Sequence, residues 1–291
     1  MTTGFLMRFI LFLLFLVAGV SANAQRGKDG AYTASATNEV LNAYTYLTAN
    51  ASAGATSISL NDNALNSGVF SSNLAGGDLL FLIQAQGASL FGSAIPVGGG
   101  NYFGGPFGTD LGQVDNYNNC GNHEYVEVES VGGGGTVNLR CGLAKNYTDT
   151  GHVIVVRVPR FTDLTIPAGT SVTATPWNGT TGGIVVLEVE GNMTVDGEID
   201  ADADGFRGGV PEGDTFFGTG QYFASNPGEG AEKGESIAGY QGDYLWYGGR
   251  YGKGSPANGG GGGNGHNGGG GGGANATSGS LAAWTGFGEP D

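Results

Sequence analysis

Three aspartates stand at alternate positions before a glycine: Asp200, Asp202 and Asp204, ahead of Gly205. Alternating carboxylates followed by a glycine turn form the first half of an EF-hand loop, where oxygen ligands surround calcium. The match stops there. Position 12 of such a loop would be Pro211, with Glu212 one step late, and an extended run rather than a helical one precedes it. The same spacing arises on a strand that alternates Asp outward with Ala or Ile inward, giving a charged edge that discourages sticking. Calcium at Asp200, Asp202 and Asp204 and a plain solvated edge are both open readings. No other cofactor is expected.

The chain has two cysteines, Cys120 and Cys141. Between them runs "GNHEYVEVESVGGGGTVNLR", two alternating segments around a glycine tetrad, which predicts a β-hairpin. Folding that hairpin brings the cysteines toward each other, and an even cysteine count in an exported chain favours a disulfide. Cys120, His123 and Cys141 as a metal site is the weaker alternative, because three soft ligands in an oxidising setting make an incomplete set.

Signals for catalysis are sparse. His123 precedes a strand, His152 begins one and His266 sits in a glycine run. None stands in a nucleophile elbow, a metalloprotease helix or a Cys–His setting. Glu188 and Glu190 share a strand face, as ordinary surface pairs do, whereas a glycosidase needs two carboxyl groups flanking a cleft. The glycine runs lack the Gly-Lys-Ser/Thr ending of a phosphate loop. The expectation is a protein that is not an enzyme, with an exported carbohydrate-active enzyme and a secreted calcium-binding module as competing classes.

The elements that must position these residues divide by texture. Residues 1–24 carry Arg8, an apolar run from Phe9 to Val20, and Ala22-Asn23-Ala24, the pattern of a cleaved secretory signal. An apolar run that short is not a bilayer span. Removing the signal takes the formal charge from −15 to −16. With 11 Lys and Arg against 26 Asp and Glu, the chain is a poor partner for nucleic acid, which needs clustered cations.

Residues 25–160 form the predicted N-terminal β domain, with short alternating or branched runs such as "DLLFLIQAQG", "EYVEVESV" and "HVIVVRVP" between turn residues. Residues 37–50, "TNEVLNAYTYLTAN", give the one helical suggestion, weakened by their β-branched and aromatic content. Residues 94–119 make a long glycine- and aromatic-rich connection, a candidate contact surface through Tyr102, Phe103 and Phe107. Residues 161–205 hold short strands at close spacing, solenoid-like or sandwich-like.

Residues 206–291 are glycine-rich, and 12 of the 15 residues at 259–273 are glycine. Aromatics run through this region, which a flexible spacer does not need. Tyr240, Tyr244, Trp246, Tyr247 and Tyr251 are its candidate contact residues, since aromatics offer large area at low entropic cost. Glycine tracts can also order themselves as extended helices with about three residues per turn, laid side by side so that neighbours share amide hydrogens. The large backbone entropy of glycine opposes this unless many such bonds form together, and on composition alone a disordered tether is the other open reading.

Three stretches carry a resemblance: "GGDLLFLIQAQGA" at 76–88, "GNHEYVEVESV" with "NLRCGLAKNYTDTGHVIVVRVPRFTDLTI" across 121–166, and "TPWNGTTGGIVVLEVEGNMTVDGEIDADADGFRGG" at 175–209. With the late glycine tracts they resemble the N-terminal region of large Bacteroidetes cell-surface adhesins of the SprB-like, gliding-motility type. The resemblance implies export by the type IX secretion system, partnership with the gliding machinery, and contact with a surface or polysaccharide ligand outside the outer membrane. It also implies a longer parent chain with a C-terminal sorting domain. It supplies no catalytic residues.

The expected protein is therefore all-β. An N-terminal β domain leads into solenoid-like strands and then a glycine-rich region able to form packed polyglycine-type helices. Its expected role is that of a secreted cell-surface adhesin or filament module, with self-association into filaments. A secreted carbohydrate-binding or carbohydrate-active protein is the alternative.

Overall fold

A computed structural model describes residues 25–90, 112–211, 227, 230–247, 249–263 and 270–271. The signal-like segment lies outside these residues. The strands, in chain order, are β1 (Gly30–Thr33), β2 (Glu39–Val40), β3 (Ala43–Tyr46), β4 (Ser57–Ser59), β5 (Leu79–Gln84), β6 (Ser89–Leu90), β7 (Val114–Asn116) and β8 (His123–Val131). They continue with β9 (Thr136–Leu139), β10 (Val153–Val158), β11 (Arg160–Ile166), β12 (Ser171–Thr173), β13 (Glu188–Val189), β14 (Met193–Val195) and β15 (Glu198–Asp200). Short 3-10 turns at Asp149–Gly151 and Asp243–Tyr247 are the helical segments among the described residues. The fold is all-β, as the sequence predicts. The helical suggestion at 37–50 gives way to β2 and β3, where Tyr44, Thr45 and Tyr46 suit a pleated surface better than a helix.

One unit is an antiparallel sheet ordered β3-β10-β5-β8-β9-β4. Main-chain bonds from Thr48 N to Ser59 O and from Asn61 N to Tyr46 O bring the end of β4 back to β3, so the sheet curls toward a barrel. Strand alternation decides its interior. Leu80 and Leu82 of β5, Val126 and Val128 of β8, Val137 and Leu139 of β9, and Val153 and Val155 of β10 form one buried cluster inside. Leu79, Phe81 and Ile83 of β5 face outward with Ile154 and Val156 of β10.

The second unit stacks parallel strands. β1, β11 and β14 pair in parallel, and so do β2, β12 and β15. Each successive pair is one coil of a solenoid: β1 with β2, β11 with β12, β14 with β15. The corners stack as well, with Ser171 N bonded to Ala36 O and Glu198 N to Thr170 O. Side chains align from coil to coil, Tyr32 on Leu164 on Met193, and Ile166 on Val195.

The solenoid reading of 161–205 therefore extends to the front of the chain. The first coil lies at 30–40, and the barrel is an excursion, 41–159, between the first and second coils. That excursion also hides any repeat period from the sequence. Ion pairs hold the two units together. Lys28, ahead of β1, pairs with Asp78, ahead of β5, and Arg160 Nη1 of β11 lies 3.9 Å from Glu127 Oε2 of β8; Arg157 Nη2, 2.9 Å from Asp78, backs the first pair within the barrel.

Candidate functional site

Two of the three carboxylates at 200–204 accept hydrogen bonds, one within the turn and one from β12. Asp200 Oδ1 accepts the Asp202 amide at 2.7 Å, while Asp204 Oδ2 accepts the Thr173 hydroxyl at 2.8 Å. Ala203, at φ +63°, turns the backbone between them. Asp204 is thus tied to Thr173, the β12 residue in register with Asp200, and no group of three His, Cys, Asp or Glu side chains fit to hold a metal occurs among the described residues. Glu188 and Glu190 are not a free pair either: Glu188 is held by Arg160 and, at 3.8 Å, by Arg26.

The expected disulfide is not seen. Cys120 and Cys141 are both free thiols. The hairpin pairs Val128 with Leu139 and Val131 with Val137, a register that puts Cys141 opposite Val126. Cys120 lies six positions earlier, in a turn before β8, with Sγ 3.4 Å from Ala85 O. His123 to Val126 alone span roughly 10 Å of strand, with the turn beyond them, against the ~6 Å between Cα atoms that a disulfide allows. Burial pushes the Cys120 thiol up to about 11.

Of the contact residues expected in the glycine-rich region, Tyr244 and Tyr251 are buried and Tyr240 is partly exposed. Tyr244 is 0% exposed, and its hydroxyl lies within hydrogen-bonding distance of Gly234 O, Ser236 Oγ and Gly239 O. Tyr251 is buried as well. Tyr240 lies under the Arg207 guanidinium, 4.1 Å from ring centre to Cζ. Tyr102, Phe103 and Phe107 lie outside the described residues, as do the side chains of Trp246 and Tyr247.

An aromatic surface does exist elsewhere, on the outer face of the barrel. Tyr125 of β8 is 56% exposed and sits across from Phe81 of β5, with ring centroids 4.9 Å apart and planes at 51°. Phe81 also lies 6.0 Å from the His123 ring. Alternation puts His123, Tyr125 and Glu127 on one face of β8, so the platform has an imidazole on one side and a carboxylate on the other. Arg140 Nη1 lies 3.2 Å from Glu127 Oε1. Trp177, Ile184, Val186 and Phe206 pack against the neighbouring outward side chains of this face. The outward alternation of Tyr125, Glu127 and Glu129 is readable in the sequence; its pairing with Phe81 is not, since that requires the strand register.

No protein-family description matches the chain, and no curated protein matches it. Among solved structures, the gp54 tailspike of Acinetobacter baumannii bacteriophage AP22, in complex with capsular saccharide, aligns at TM-score 0.24 and 16% identity, over 58% of this chain and 22% of that one. The gp61 tailspike of Pseudomonas phage phi297 aligns at TM-score 0.24 and 17% identity, over 49% and 23%. The gp49 tailspike of Pseudomonas phage LKA1 aligns at TM-score 0.22 and 14% identity, over 50% and 26%. The chain thus spans about a quarter of each. At these values the likeness fixes neither fold nor ligand.

Proposed function

We propose that this chain is an extracellular module that binds neutral polysaccharide through the platform of Tyr125 and Phe81. The exposure of Tyr125 over a half-buried Phe81 carries the reading. Sugar rings present C–H faces that stack on aromatic rings and hydroxyls that bond to flanking polar groups, and the exposed His123 supplies such a group beside Tyr125. Both rings stand on paired strands of a closed sheet, so little ordering accompanies contact. The formal charge of −15 repels polyanions, which favours an uncharged glycan. The exported location rests on the secretory-signal pattern of residues 1–24, and the type IX route and the gliding-adhesin setting rest on the sequence resemblance.

Affinity electrophoresis tests this reading, using gels that contain hydroxyethyl cellulose, as a neutral polysaccharide, or alginate, as an acidic one. The wild type is retarded by the neutral gel more than by the acidic one, and Tyr125→Ala weakens that retardation about ten-fold. Equal retardation of the folded variant, or an unretarded wild type in the neutral gel, overturns the proposal.

A further inference from the structure

Main-chain bonding in the glycine-rich region follows a rotation. Five consecutive amides, 231 to 235, donate to three neighbouring segments in turn. Ala231 N bonds to Gly263 O at 2.7 Å, Glu232 N to Val210 O at 3.2 Å, and Lys233 N to Arg250 O at 2.8 Å. The cycle then repeats: Gly234 N bonds to Gly260 O at 2.8 Å and Glu235 N to Arg207 O at 2.8 Å. Residues 231 and 234 address the segment 260–263, and residues 232 and 235 address 207–210. Acceptors step back by three as donors step forward by three, so both segments run antiparallel to 231–235. Gly252 N returns a bond to Ala231 O at 3.2 Å, which makes the third neighbour antiparallel too.

A strand in a sheet sends its amides alternately to two sides. A helix keeps its bonds within itself. Rotation among three neighbours with a period of three requires about three residues per turn and no internal bonds, the geometry of the extended left-handed helix. We infer that residues 231–235 are the central strand of a polyglycine-type bundle whose outer strands are 207–210, 250–254 and 260–263. Gly271 N, bonded to Gly261 O at 2.7 Å, adds a further segment on the outside.

The glycines confirm what the strands need from them. A Cβ on Gly262 would overlap the Ala231 carbonyl oxygen, one on Gly209 the Glu232 carbonyl, and one on Gly261 the Lys253 carbonyl. None of the three has a left-handed φ. Glycine is required at these positions for space, because backbone lies directly on backbone. The Lys233 side chain is buried among these segments. Its Nζ donates to Gly252 O at 2.9 Å and to Gly254 O, giving those carbonyls the partner that a neighbouring amide supplies elsewhere. The described segments of the region are thereby bonded into one bundle, independent of whether the barrel platform binds glycan.

Amide hydrogen exchange read by mass spectrometry tests the bundle. Peptides covering 230–236, which contain no helix and no β pairing beyond isolated bridges at Glu232 and Ser236, exchange at least about 100-fold more slowly than unstructured chain. Gly262→Ala and Gly209→Ala each abolish that protection. Gly208→Ala retains it, because nothing lies within 4 Å of a Cβ there. Coil-rate exchange of 231–235 in the wild type overturns the inference, as does equal protection in Gly208→Ala and Gly262→Ala.

Discussion

Trp177 donates its indole Nε1–H to Glu235 Oε2 at 2.8 Å, with both residues buried. Glu235 belongs to the glycine-rich region, and Trp177 follows the second solenoid coil. The same carboxylate accepts Gln86 Nε2 at 2.8 Å from the barrel side and Arg207 Nε at 2.7 Å from the connecting segment. One side chain therefore joins three parts of the fold. Removing it leaves an indole N–H, an amide and a guanidinium without their partner. Glu235→Ala should cost about 3 kcal/mol. Trp177→Phe, which removes one donor and leaves the others, should cost about 1 kcal/mol from the lost hydrogen bond. Denaturant unfolding of the two variants checks the ranking, and equal losses contradict it.

Acid should undo the same joint. Burial by itself would raise the Glu235 carboxyl, but the bonds from Arg207, Trp177 and Gln86 outweigh it and hold the group below the usual carboxylate range. A carboxyl depressed in the folded state adds stability that is complete above its unfolded value of about 4.3 and lost as pH falls through the folded value. The glycine-rich segment should thus become sensitive to limited proteolysis below about pH 4. Glu235→Gln should remove most of that pH dependence, because it cannot titrate.

Lys233 should act in the opposite pH range. Burial lowers its ammonium to about 7, against about 10.4 in an unfolded chain. Between those values the unfolded state holds the proton more than the folded state does, so stability rises with pH. It reaches its full value above about 10.4 and falls as pH drops through about 7. Thermal unfolding from pH 7 to pH 10 should show a rising midpoint in the wild type and a flatter one in Lys233→Met. An identical slope in both proteins would place the titration elsewhere.

Local pattern gave the strands, and distance hid their partners. "DLLFLIQAQG" alternates and becomes β5 with Leu80 and Leu82 inside; "HVIVVRVP" becomes β10. The short parallel strands after Phe161 were legible as solenoid-like, but their first coil was not. Gly30–Thr33 and Glu39–Val40 are too short to announce themselves, and their partners stand more than a hundred residues away. Tyr125 was legible as an outward residue, whereas its contact with Phe81 depends on register. In the glycine-rich region no periodicity says whether a ring faces in or out. Tyr244 turns inward because its hydroxyl meets main-chain groups that glycine neighbours leave uncovered.

The cysteines give the most direct check on register. The glycine tetrad at 132–135 centres the hairpin, so Cys120 stands about thirteen residues before that centre and Cys141 about eight after it. A hairpin folded symmetrically about the tetrad cannot place them opposite each other, and the pairing of Val128 with Leu139 keeps them apart. A disulfide closing that loop would contribute about 3 kcal/mol, so a reductant should lower the melting temperature if one exists. The expected result is no change on adding dithiothreitol. Iodoacetamide at pH 8 should alkylate both residues without prior reduction. Cys141, which is exposed, should react first. Cys120 should lag, because its thiol is half-buried and pushed up to about 11, leaving little thiolate at that pH. A chain that takes up no label until it is reduced would contradict the register of β8 and β9.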